Sequence, residues 1–151
     1  MSLAVRRANS KDSEVVVEFN RRLAEESEGK MLDAALLRAG VAQALADPQK
    51  AAYFLAEDLG LVVGQIMITT EWSDWRNGWF WWIQSVYVRP EARRRGVFRA
   101  LFEHVSRTAR QDGAVIGLRL YVDEHNHAAQ ETYRRLGMTE TGYWVLEKHP
   151  V

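Results

Sequence analysis

The sequence predicts a mixed α/β (α+β) fold, with a mostly antiparallel central sheet that carries one parallel strand pair. Three observations predict it. Apolar residues recur at helical spacing over Ser13 to about Glu25, Asp33–Leu45 and Gly96–Asp112, and follow strand-like patterns elsewhere. Asn77-Gly78, a dipeptide suited to the positive φ angles of a tight hairpin turn, separates two strand-like runs. The strand, helix, strand passage from Trp79 to Val122 requires a right-handed parallel crossover.

Leu3–Arg7 is a short first strand, ended by the polar run Asn9–Ser13, where Ser10 or Asp12 can cap the first helix. Val16, Phe19 and Leu23 form that helix's apolar stripe, and Leu37, Val41, Ala44 and Leu45 form the stripe of a second. Between them Glu25–Lys30 reads as an acidic connector, either a solvated loop or an acidic rim facing a substrate. Asp47-Pro48 stops the second helix. Ala51–Glu57 is the next strand and turns at Asp58–Gly60 into Leu61–Thr70, whose near-continuous apolar run implies burial on both faces. Trp79–Val88 returns from the hairpin, and Arg89-Pro90 ends it because proline lacks a ladder donor.

Glu91–Arg95 is then a loop, and Val97, Leu101, Val105 and Thr108 with Phe98, Phe102 and Ala109 make a wide apolar helix face up to Gly113. Ala114–Val122 is a strand. Asn126 precedes a short helix in which Ala129, Tyr133 and Leu136 share a face, Gly137 ends it, and Thr139–Lys148 supplies a last strand.

A chain of 151 residues accommodates one domain of ordinary size, 1–151. Twenty basic residues balance twenty acidic ones, so no global field draws the protein to nucleic acid or an anionic membrane. Cysteine is absent, which removes disulfides, thiolate metal sites and cysteine nucleophiles. The four histidines show no metal spacing, and no metal is expected. No run is apolar enough to be a signal peptide or a membrane span, which makes a soluble cytoplasmic protein the expectation.

The stretch Ile83–His104 carries the strongest chemical signal. There is no GxGxxG fingerprint and no GxxxxGK[ST] loop. Instead, Arg93, Arg94, Arg95, Gly96, Val97 and Phe98 lead from a strand into a helix. Gly96 lets backbone come close to a ligand, and successive N–H groups with the helix dipole can hold an anion. The alternative is a solvated arginine face.

The sequence resembles the GNAT superfamily of acetyl-CoA-dependent N-acetyltransferases at two places. The pattern [Q/R]xxGx[G/A] falls on Arg93, Gly96 and Phe98, and NxxAxxxYxxxGF falls on Asn126, Ala129, Tyr133, Gly137 and Met138. Phe98 stands where the family has a small residue, and Met138 stands where it has Phe. The resemblance implies a GNAT-like sheet with the parallel pair at the CoA crevice and helices on both faces, and acetyl-CoA as co-substrate. The backbone of Arg94, Arg95, Gly96, Val97, Phe98 and Arg99 would hold the pyrophosphate. Val86 and Val88, with Tyr87 between them, would line the pantetheine arm as an added pseudo-strand.

For catalysis, the Tyr133 phenol, protonated at neutral pH, either protects the departing thiolate by donating to it or simply packs in a helix face. Asn126 either caps a helix or touches the CoA arm. Many family members place a glutamate on the strand before the loop, but Trp82, Gln84 and Ser85 occupy that segment, leaving Glu71 or Asp74 as substitute bases. Trp72 and Trp75, among several tryptophans, and Gln84 are candidates for the acceptor site, since an indole face attracts an alkylammonium. Part of that aromatic set is structural, and part lines a cleft or a homodimer contact. The implied activity is transfer of acetyl to a primary amine of a small molecule or an exposed peptidyl amino group, by direct attack in a ternary complex. The rival reading is a CoA-binding sensor without turnover.

Overall fold

Five strands pair in chain order, β1-β2-β3-β4-β5, in a computed structural model that describes all 151 residues. The elements are β1 (Leu3–Arg7), α1 (Ser13–Glu28), α2 (Ala34–Ala46), β2 (Ala52–Asp58), β3 (Leu61–Ser73), β4 (Gly78–Val88), α3 (Val97–Asp112) and β5 (Val115–Leu120). The first three junctions are antiparallel and β4-β5 is parallel, as the crossover rule requires. Residues 1–120 form one compact unit and Tyr121–Val151 another.

Polar side chains order the short Ser10–Asp12 turn ahead of α1, while Asp12, at the helix's N-cap position, makes no side-chain cap bond to it. Asn9 and Asp12 form a reciprocal capping box ahead of it, and Arg6 binds both Asp12 (2.8 Å) and Glu57 (2.7 Å), tying β1 and β2 to the helix entry. Gly29, in the left-handed region at φ 62°, ends the helix, with its N–H on Glu25 O and the Lys30 N–H on Ala24 O. The helix therefore runs to Glu28, past the end of its apolar stripe.

Neighbouring residues of β2 face opposite layers. Tyr53 and Leu55 join Val16, Val17, Val41 and Ala44 under α1 and α2, while the Phe54 ring lies 5.1 Å from His104 of α3. Helices thus cover both faces of the sheet. Gly64 of β3 makes the α3 contact close: a Cβ there would lie 2.8 Å from Val97 Cγ1 and 3.2 Å from the Tyr87 carbonyl oxygen.

The β3-β4 hairpin differs from the expected two-residue turn. Ser73 pairs with Gly78, so Asp74–Asn77 form a four-residue loop in which Asn77 alone takes positive φ (50°) and Trp75 sits exposed at the tip. The strand pattern lengthens β3 to Ser73 because Trp72 and Trp79 pair across it at 5.0 Å.

In the second unit, α4 (His127–Arg135) is capped by Asn126, whose Oδ1 accepts from the Ala129 N–H at 3.1 Å. The expected strand Thr139–Lys148 is not formed, and residues 139–151 contain no helix or strand. A strand needs a ladder partner, and Tyr143, Trp144, Val145 and Leu146 are 68–91% exposed. No helix is long and apolar enough to cross a membrane.

Candidate functional site: a forked sheet and an anion cradle

The site begins where the parallel pair separates. Trp79 to Ile83 of β4 pair with β5, ending at Ile83 opposite Leu120, but β4 continues to Val88 with a partner on the β3 side only. Within this extension the register shifts: Gln65 pairs with Tyr87 and Met67 with Gln84, so Ser85 and Val86 together oppose Ile66. Ser85 has φ 49°, the left-handed conformation that accommodates the extra residue of a β-bulge. Gln65, fully buried, holds it by donating from Nε2 to the Ser85 carbonyl at 2.9 Å. The bulge bends β4, so residues 84–88 form an open backbone edge inside the fold.

That edge runs into the arginine loop. Arg89 anchors the turn, with its N–H on Val63 O (2.8 Å), its Nε on Val62 O (2.8 Å) and its guanidinium over the Phe19 ring of α1. Arg94 and Gly96 both have positive φ, 62° and 83°, with Arg95 between them. Alternating handedness turns successive N–H groups toward one concavity, which suits an anion. Gly96 is required by its φ, and a Cβ there would meet nothing within 4 Å, so the cradle stands open. The first helical bond of α3 is Ala100 N–H to Gly96 O at 3.0 Å, which places the N–H groups of Val97, Phe98 and Arg99 ahead of the helical ladder and at the positive end of the dipole. Phe98 turns its ring toward Phe102 (6.0 Å) and so leaves the cradle to the backbone.

A cavity of about 440 Å³ borders this edge, lined by Leu23, Glu26, Ser27, Val86, Tyr87, Val88 and Arg93. Tyr87 is buried against Phe19 (5.1 Å between rings) and donates its hydroxyl to Glu26 Oε1 at 3.0 Å. Arg93 donates from Nη2 to Glu26 Oε2 (2.7 Å) and from Nε to the Val88 carbonyl (3.0 Å), with its guanidinium over the Tyr87 ring. Arg93 holds the Glu26 carboxyl below its ordinary range, and burial followed by Glu26 pushes the Tyr87 phenol up. Sequence reasoning placed Glu26 in a connector. Its signal was present: Phe19, Leu23 and Glu26 stand at i, i+4 and i+7 on one helix face.

A second cluster occupies the α1/α2 face of the sheet, where Met67 joins the core beneath those helices and pairs with Gln84. Alternation puts Thr69, Glu71, Phe80, Trp82 and Gln84 on this face and Trp72 and Trp79 on the other. Glu71 Oε1 accepts from Trp82 Nε1 and from Arg119 Nη1, each at 3.0 Å, and Arg119 stacks 3.6 Å above the Phe80 ring. Gln84 donates to Thr69 Oγ1 at 2.7 Å. The structure thus brings Glu71 and Gln84 onto one face and separates Trp72 and Trp75 from them. Asn126 and Tyr133 belong to the second unit, where Asn126 caps α4 and burial raises the half-buried Tyr133 phenol above its ordinary value. No group of His, Asp and Glu side chains is arranged to hold a metal.

Comparison with known proteins identifies the fold and the family. The model of the acetyltransferase (GNAT) family matches residues 16–138. A crystal structure described as a "possible acetyltransferase" from Clostridium difficile 630 is 42% identical, with 100% of this chain and 99% of that one covered and a TM-score of 0.93. A protein from Clostridium acetobutylicum described as a "predicted acetyltransferase", solved with acetyl-CoA, shares the fold at 18% identity, TM-score 0.79, with 97% and 96% covered. AAC(6')-Iy with a CoA-containing bisubstrate analogue does so at 19% identity, TM-score 0.77, with both chains fully covered. No functionally curated protein sequence matches. The forked β4-β5 pair, the glycine-bearing cradle and the family match over most of the chain together make this protein a member of the GNAT acetyltransferase family.

Proposed function

We propose that the protein is an N-acetyltransferase that moves acetyl from acetyl-CoA to a primary amine of a small molecule or an exposed amino group, and that the whole chain acts as one catalytic domain. One observation carries this reading. The open β4 edge at residues 84–88 is followed, after the turn at residues 89–93, by the N–H cradle at Arg94–Arg99, so an extended amide-bearing arm and a diphosphate meet successive complementary surfaces. Val86 and Val88 receive the arm, and the cradle backbone receives the diphosphate. The Arg93–Arg95 side chains add positive charge.

The amine nitrogen attacks the thioester carbonyl, the C–S bond breaks, and sulfur leaves with its electron pair. Tyr133 donates a proton to that sulfur, and its raised pKa keeps the donor protonated at neutral pH. The attacking amine must be neutral, and a lysine-like amine with a pKa of about 10.4 is so only about once in 2,500 molecules at pH 7. Glu71 accepts its proton through water, with the carboxylate held in place by Trp82 and Arg119. Phe80, Trp82 and Gln84 line the acceptor's side of the sheet.

Thiol release from acetyl-CoA across a panel of primary amines tests the proposal. Turnover with at least one amine is the expected result, and Tyr133→Phe lowers kcat about 100-fold while CoA affinity holds. Glu71→Gln lowers kcat, and an unchanged rate would remove Glu71 from the mechanism. Saturable CoA binding with no release for any amine supports the sensor reading instead, which the lack of a carboxylate on residues 82–85 favours.

A further inference from the structure

Arg93 occupies one group that the ligand track would use and commits its own charge to a carboxylate. Its Nε sits on the Val88 carbonyl, and its Nη2 donates to Glu26, a residue of another element 67 positions away in sequence. Tyr87 completes the arrangement from below, its ring under the guanidinium and its hydroxyl on the other Glu26 oxygen. Both charged side chains remain close to half exposed, 46% for Arg93 and 42% for Glu26. An exposed pair of this kind is weak, which suits a contact that must open.

We propose that Glu26 and Arg93 form a latch across the mouth of the CoA track, which CoA opens as it binds. The inference rests on the acetyl-CoA reading above. Entry of the arm takes the Val88 carbonyl from Arg93 Nε, and the diphosphate takes the guanidinium from Glu26. Glu26 is therefore a positioning residue: it touches no phosphate, yet it sets CoA affinity by holding the free protein in a competing arrangement. No covalent bond changes.

The latch predicts a counter-intuitive direction. Glu26→Gln keeps a hydrogen-bonding group but removes the ion pair, so CoA binds about 1.5- to 5-fold more tightly, the range expected for an exposed pair. Glu25→Gln removes the same charge one residue away, from a carboxylate paired with Arg21, and leaves CoA affinity unchanged. In an Arg93→Gln background the effect of Glu26→Gln disappears, because the cycle isolates the pair. Titration calorimetry with CoA on the full chain reads all three. Unchanged or weaker CoA binding by Glu26→Gln overturns the latch, as does an equal gain from Glu25→Gln, which would signal a general field. Wild-type protein that binds no CoA at all refutes the acetyl-CoA reading itself, a separate result.

Discussion

Gln65 concentrates the cost of building the cleft into one residue. Its amide nitrogen satisfies the Ser85 carbonyl inside the bulge, while its Oε1 is buried without a partner. A buried unsatisfied acceptor is unfavourable, so this residue contributes through the bulge it holds rather than through net stability. Gln65→Leu removes the orphan acceptor but also the bulge's hold. Urea unfolding is expected to change by less than about 2 kcal/mol while the acetyl-CoA KM rises several-fold; an unchanged KM would show that the bulge holds itself. Gly64 makes the opposite case. Gly64→Ala drives a methyl into Val97 and the Tyr87 backbone, and is expected to destabilise by about 1–3 kcal/mol in a thermal melt. From the sequence, both residues were visible only as interruptions of the apolar run Leu61–Ile68, because the bulge they serve depends on a register between strands.

At the scale of elements, α1 does most to shape the cleft. Its apolar stripe was legible, and with it the packing of Phe19 on Tyr87. Its last turn was not, because Gly29 rather than the final apolar residue sets the end, and that turn carries Glu26. The solvent face of α1 is laced by Glu18 with Arg21 and Arg22. Arg21, then Arg22, lower the Glu18 carboxyl from an ordinary 4.5 to about 2. A depressed folded-state pKa contributes stability above the unfolded value that is lost as pH falls through the folded one. The urea midpoint difference between wild type and Glu18→Gln is therefore expected to be full above about pH 4.5, to shrink toward pH 2, and to be smaller in high salt. A difference that persists at pH 2 would assign the effect to packing of the side chain. The same scale explains the acceptor face: Trp72 and Trp82 look alike in sequence, but strand alternation and the length of the hairpin put them on opposite sides.

For the molecule as a whole, the sequence read the order of strands and helices well up to Leu120 and failed in the last thirteen residues. Thr139–Lys148 has strand composition, yet pairing is a non-local property that composition does not supply. The exposed Tyr143, Trp144 and Leu146 are sites for chymotrypsin, so limited digestion is expected to cut here before it cuts residues 1–120. Resistance at these sites would contradict their exposure, and resistance that vanishes on dilution would show that a second copy covers them.

The fork in the sheet also has a kinetic side. Strands β1 to β4 meet mainly through antiparallel neighbours, and β2, β3 and β4 follow each other by short turns, but β5 reaches β4 only after the sixteen residues of α3 have crossed over. Loop closure makes such a junction late to form. With only Trp79–Ile83 zipped to it, β5 is held by a single neighbour, as β1 is, so its amides are expected to exchange with solvent sooner than those of β2 and β3. A ligand laid along the unzipped part of β4 then acts as a missing strand, and the slowing of exchange it causes would be greatest at the place where the fold is assembled last.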